Sequence, residues 1–127
     1  MSGAKKHIAD LYPELKEWEG YTLFVKDEIR SFNKKLEEVA VNYTNKDVPA
    51  EVEHFQNQFI RQNEACDELL HELHLSEHVF AELSQKNPAS TRVILNDHLP
   101  LREKVESHKL IFTDLKHEYH NFLSRYL

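Results

Sequence analysis

Three successive stretches of the chain repeat mostly apolar residues at alternating spacings of three and four. The first runs Ile8, Leu11, Leu15, Trp18, Thr22, Val25, Ile29, Phe32, Leu36, Val39, Tyr43. The second runs Val52, Phe55, Phe59, Gln62, Cys66, Leu69, Leu73, Ser76, Phe80, Leu83, and the third Ile94, His98, Leu101, Val105, His108, Phe112, Leu115, Tyr119, Phe122, Tyr126. Such a seam lets long helices lie side by side at a shallow left-handed angle. The pattern predicts an all-α chain, an antiparallel up-down-up three-helix bundle with coiled-coil-like heptad seams.

Turn chemistry sets the predicted boundaries. Asp10 is placed as the N-cap of a first helix over about 10–44, with Pro13 in its first turn, where a missing N–H is tolerated. The polar run Thr44-Asn45-Lys46-Asp47 breaks the seam, and Asp47, Pro49, Glu51 and Glu53 open a second helix that ends near Lys86. Asn87-Pro88-Ala89-Ser90 forms the next connection. Two short connections force antiparallel neighbours, each helix about 35 residues or roughly 50 Å long. Pro100 falls inside the third helix, which is expected to kink there or to divide into a piece over 90–97 and a long helix capped by Asp97. Gly20 weakens the first helix by about 1 kcal/mol relative to Ala.

The same turns fix a register. Trp18 is expected beside Leu73 and Val105, Val25 beside Cys66 and Phe112, and Ile29 beside Gln62 and Leu115. Thr22 and Leu69 flank His108, whose imidazole is expected to be buried and satisfied by the Thr22 hydroxyl or by water. His98, near Leu11 and Phe80 at one end, is expected to reach solvent.

Composition narrows the class without naming an activity. At 127 residues, with two Gly and four Pro, the chain is expected to form one domain over 1–127, residues 1–9 being a flexible N-terminus. A formal charge of -6 with 30% charged residues shows no basic stripe of the kind a nucleic acid demands. No apolar run is long enough to span a membrane, and no signal-peptide core follows the basic start, so a cytoplasmic location is expected. Cys66 cannot form an internal disulfide and lies on a seam, as a small buried thiol would.

Nine His make metal chemistry the first function to weigh. Glu51-Val52-Glu53-His54, Glu68-Leu69-Leu70-His71 and Asp114-Leu115-Lys116-His117 look like pieces of a di-iron bundle, but no seam carries a carboxylate and His71 turns away from the leucines around it. On the outer face of the second helix, Ile60, Glu64, Asp67, His71, His74 and His78 form another stripe. His74 and His78 stand one turn apart, so His71, His74, His78 and Asp67 are the candidate metal ligands, with a solvated polar face as the plainer reading. Enzyme motifs fail at particular residues. His71-Glu72-Leu73-His74 puts the second His one position early for a zincin, and Cys66 has no nucleophile motif around it. His71-Glu72-Leu73 lacks the Arg-Thr-Pro that follows in histidine-kinase dimerisation helices, and Ile111 and Phe112 replace the Lys and Gly of a phosphotransfer site after His108-Lys109-Leu110. No catalytic residue and no cofactor is assigned.

Three equal helices with Trp18 on the first seam resemble a spectrin-type repeat in architecture, although the chain has no tandem copy and no Trp in its third helix. Val52-Glu53-His54-Phe55-Gln56-Asn57-Gln58-Phe59-Ile60, with Leu36-Glu37-Glu38-Val39 upstream, resembles small helical-bundle proteins of bacteria. The resemblance implies a bacterial cytosolic protein and no site. Leu70, Leu75, Val79, Leu99, Leu110 and Ile111 lie beside or away from the seams, an apolar excess that calls for a partner where it gathers in one patch. The expected function is that of a noncatalytic bundle associating with a second copy or another protein, without nucleic acid, membrane or an identified small-molecule substrate. The alternative is a bundle with a metal-binding or pH-sensing site on the His stripe.

Overall fold

The computed structural model describes residues 8–45, 47–83 and 90–126, with side chains described over 10–45, 47–82 and 98–126. Three helices, α1 (Ile8–Asn42), α2 (Asp47–Leu83) and α3 (Ser90–Ser124), account for nearly all of it, and no strand occurs among the described residues. The chain is an all-α three-helix bundle. The expected flexibility of 1–9 and the turn at 87–89 fall in large part outside the described residues, as do the side chains of Ile8, Leu83 and Ile94 on the seams.

Boundaries moved by a few residues, and two expectations moved with them. α1 begins at Ile8, so Asp10 lies inside its first turn, where the carboxylate complements the helix dipole instead of capping it. Pro13 consequently falls beyond the first turn and removes one hydrogen bond on an exposed face. α3 runs unbroken through Pro100, so there is no separate piece ending at Asp97. Because the seam stays in phase across the proline, packing of Leu101 and Val105 holds the helix together where the ladder loses a donor.

The register follows the turns. Lys16 meets Glu77, Glu19 meets His74 and Lys26 meets Asp67 between the antiparallel α1 and α2. Glu72 meets Lys104 and Glu51 meets Arg125 between α2 and α3. α1 and α3 run parallel, approach each other least, and are joined by Glu14 to Arg102 and Glu28 to Lys116.

Every described seam position is buried or half-buried except Tyr43, whose hydroxyl donates to the Tyr126 carbonyl at 2.8 Å where α1 ends beside the end of α3. Each fully buried large aliphatic or aromatic side chain contributes about 1.5–3 kcal/mol relative to exposure. The core falls into two clusters. One gathers Val25, Ile29, Phe55, Phe59, Phe112, Tyr119 and Phe122 with their neighbours, and the other Leu15, Trp18, Leu69, Leu73, Leu101 and Val105. Trp18 is 3% exposed and shares its cluster with Leu73 and Val105, as the register requires. Val25, Cys66 and Phe112 likewise share theirs.

Candidate functional site

A polar layer separates the two clusters. Thr22 is fully buried, but its hydroxyl donates to the Trp18 carbonyl at 2.8 Å and leaves His108 to others. A helical threonine reaches the carbonyl one turn back more readily than a neighbouring helix, which explains why the expected Thr22–His108 bond is absent. His108 instead has the Tyr21 hydroxyl 3.4 Å from Nδ1 and the Cys66 sulfur 3.7 Å from Nε2. Burial lowers the His108 pKa from its ordinary value, against an opposing pull from the Gln62 carbonyl. Burial also pushes the Cys66 thiol up to about 11 and Tyr21 up to about 12. These environments favour neutral thiol beside neutral imidazole, the reverse of the thiolate–imidazolium pair that a cysteine nucleophile uses.

The second buried imidazole lies ten residues back along α3, about 15 Å away at the helical rise. His98 is 2% exposed, which overturns the expectation that it reaches solvent. It stacks on Trp18 with ring centroids 4.8 Å apart, and its Nε2 lies 2.7 Å from Glu14 Oε1. Arg102 Nη2 donates to the same oxygen at 2.7 Å, and its guanidinium stands 6.0 Å from the Trp18 ring centre. A large indole covers the site from within while α1 and α3 close it from either side.

Both imidazoles line a long groove between α2 and α3. One hollow, of about 250 Å³, is formed by Leu15, Leu75, Val79 and Leu101 with His98. The other, of about 570 Å³, is formed by Ala65, Leu69 and Ile111 with Gln62 and His108. Glu72, Pro100 and Lys104 line both hollows, so they form one groove crossed in the middle by the 2.8 Å bond from Lys104 Nζ to Glu72 Oε1. Glu68 and Glu103 add two further carboxylates to the second hollow. The Gln62 Oε1 atom is buried there without a hydrogen-bond partner among the described residues. Of the six apolar residues read as excess in the sequence, Leu75, Val79 and Ile111 line this groove. Leu99 and Leu110 are exposed elsewhere on α3, and Leu70 is half-buried.

Two members of the outer stripe of α2 reach across to α1. His71 is exposed, but Asp67 accepts from Lys26 Nζ at 2.6 Å and His74 Nε2 lies 2.8 Å from Glu19 Oε2, so α1 reaches two of the four candidates. His78 Nε2 lies 3.0 Å from Glu82 on its own helix. The His74 hydrogen bond, with help from Lys16, lowers the Glu19 pKa below the usual carboxylate value. Among the described residues no group of three His, Cys, Asp or Glu side chains converges as metal ligands would. No described helix is long and apolar enough to cross a membrane.

Glu14, Arg102, Tyr21 and the Glu72–Lys104 bridge were absent from the sequence reading. The register alone opposes Glu72 to Lys104 within a residue, so that pair was open to discovery; the parallel offset of α1 and α3 was needed for Glu14 and Arg102. Comparison of the chain with family models, with curated proteins and with solved structures finds no match.

Proposed function

We propose that this chain is a noncatalytic helical-bundle protein that works through its surface, as a self-associating or partner-binding module whose contact face is the α2–α3 groove. The observation that carries the reading is the groove itself: two apolar hollows side by side, with Leu75 and Ile111 more than half exposed on its walls. A groove between two helices of a three-helix bundle offers the packing surface of a fourth helix. The neutral Cys66–His108 pair supports the noncatalytic part of the reading. A bacterial cytoplasmic setting and a spectrin-like style of packing belong to the same proposal.

A photo-reactive side chain placed at position 75 or 111 in cells is expected to give adducts of discrete mass, doubled for a second copy or otherwise for another protein. The same group at position 24, exposed on α1 and away from both hollows, is the control. Equal adducts at all three positions, or none at 75 and 111, would remove the groove as the contact face.

The second reading, a histidine site responsive to metal or pH, is favoured by one observation, the His74–Glu19 contact that ties α2 to α1. Protonation of His74 would turn that hydrogen bond into an ion pair. Metal analysis of tag-free protein beside His74→Ala tests the metal half: stoichiometric metal lost in the variant supports the site, and identical metal content in both discards metal binding there.

A further inference from the structure

Resting on the groove as a contact face, the chemistry of its walls identifies what it receives. Three carboxylates, Glu68, Glu72 and Glu103, line the groove against one ammonium, Lys104, and that ammonium is already bound to Glu72 at 2.8 Å. Two grooves placed face to face would bring these carboxylates together, and like charges across an interface oppose association. A second copy docking groove to groove is therefore disfavoured. The hollows are centred about nine residues apart along α2, or ~14 Å at the helical rise. One face of a helix presents apolar residues two or three turns apart over that distance, in the same packing mode the bundle's own helices use.

We propose that the groove binds an amphipathic helix of another protein, one that seats two apolar clusters, two to three turns apart, in the hollows and carries Lys or Arg beside them. One cluster enters between Leu75, Val79 and Leu101, and the other between Ala65, Leu69 and Ile111. The cations between and beside them meet Glu68 and Glu103 and compete with Lys104 for Glu72.

The test uses the intact chain and two synthetic 18-residue helical peptides, with Leu at every first and fourth position of a heptad and either Lys or Glu at the rest. Trp18 reports occupancy by fluorescence, since it lies in the core cluster with Leu15 and Leu101, which line the first hollow, and is the only tryptophan. The Leu/Lys peptide is expected to bind at least tenfold more tightly than the Leu/Glu peptide. The double variant Glu68→Lys, Glu103→Lys should reverse that preference, while Glu17→Lys, Glu38→Lys, with the same change in net charge outside the groove, should leave it in place. Ile111→Glu should weaken both peptides. Equal binding of the two peptides, absence of binding by either, or an equal effect of both double variants would overturn the proposal. Adducts at 75 and 111 in the cross-linking experiment would still stand in that case, leaving the groove a contact face with an occupant of other chemistry.

Discussion

The two halves of the bundle, on either side of the Thr22–His108 layer, are built from the same seam spacing and end up unlike each other. In the half that holds the 43–47 connection, Phe32, Phe55, Phe59, Phe112, Tyr119 and Phe122 interlock with ring centroids 4.4 to 6.5 Å apart. Such aromatic pairs add about 0.5–1.5 kcal/mol each beyond the area they bury. In the other half the seams supply mainly Leu and Val around Trp18, with a carboxylate shared by His98 and Arg102; the first hollow opens there between α2 and α3, and the second lies across the boundary layer beside His108. Periodicity decides which face is inward. Side-chain volume decides how the inside is filled: interlocked rings in one half, aliphatic side chains around a buried polar cluster in the other.

The sharpest way to break the comparison is to delete one large inward ring from each half. Phe59→Ala and Trp18→Ala are each expected to cost about 3–5 kcal/mol in urea unfolding, since both side chains are buried and the vacated space cannot fully collapse. A loss below about 1 kcal/mol for Trp18→Ala alone would show that its half is not a core at all. Next in size is Glu14→Ala, which removes the acceptor shared by His98 and Arg102 and should cost about 1–3 kcal/mol. Lys116→Ala breaks a more exposed ion pair, with Glu28, and should cost at most about 1 kcal/mol. Equal losses in the two variants would mean that the Glu14 group has no special weight in its half.

The boundary layer gives a pH-dependent prediction. Tyr21 from α1 and Cys66 from α2 face His108, and burial holds its imidazole below the ordinary value of 6.5. Below that pH the unfolded chain takes up a proton that the folded chain refuses. Stability contributed by the neutral imidazole is thus complete above 6.5 and lost as pH falls toward the folded value, with a slope of at most about 1.4 kcal/mol per pH unit for one proton. His108→Gln should flatten the acid side of a plot of unfolding free energy against pH. An unchanged slope would assign the acid sensitivity to other groups, such as Glu19, whose lowered pKa acts in the same direction. The smallest effect is a gain: Gly20→Ala should stabilise the chain by about 1 kcal/mol, because a Cβ there meets nothing within 4 Å. A loss on thermal unfolding would mean that this face of α1 packs against something in solution.

Much of the fold was legible because helical seams and turn residues are local signals that agree with each other. Leu11, Leu36, Leu73 and Phe122 are at most 0% exposed at positions assigned from spacing alone. The polar interior was harder. That Thr22 bonds back to its own helix, that His98 slides under Trp18, and that Glu14 follows it inward depend on rotamers and on the depth of α1 against α3, which spacing does not encode. The groove was half legible: Leu75, Val79 and Ile111 stood out as surplus, but only the opposed walls of α2 and α3 show that they share one cleft with Glu72 and Lys104.

Cys66, the only thiol in the chain, sits fully enclosed where the two halves meet. That position makes it a stopwatch. A thiol-specific reagent can modify it only during excursions that part the helices around it, so the rate of modification, divided by the rate for an exposed thiol at the same pH, measures how often the bundle breathes there. Run on the native sequence with a helix seated in the groove and without one, the same clock would time how far a docking event on the outside quiets the middle of the molecule.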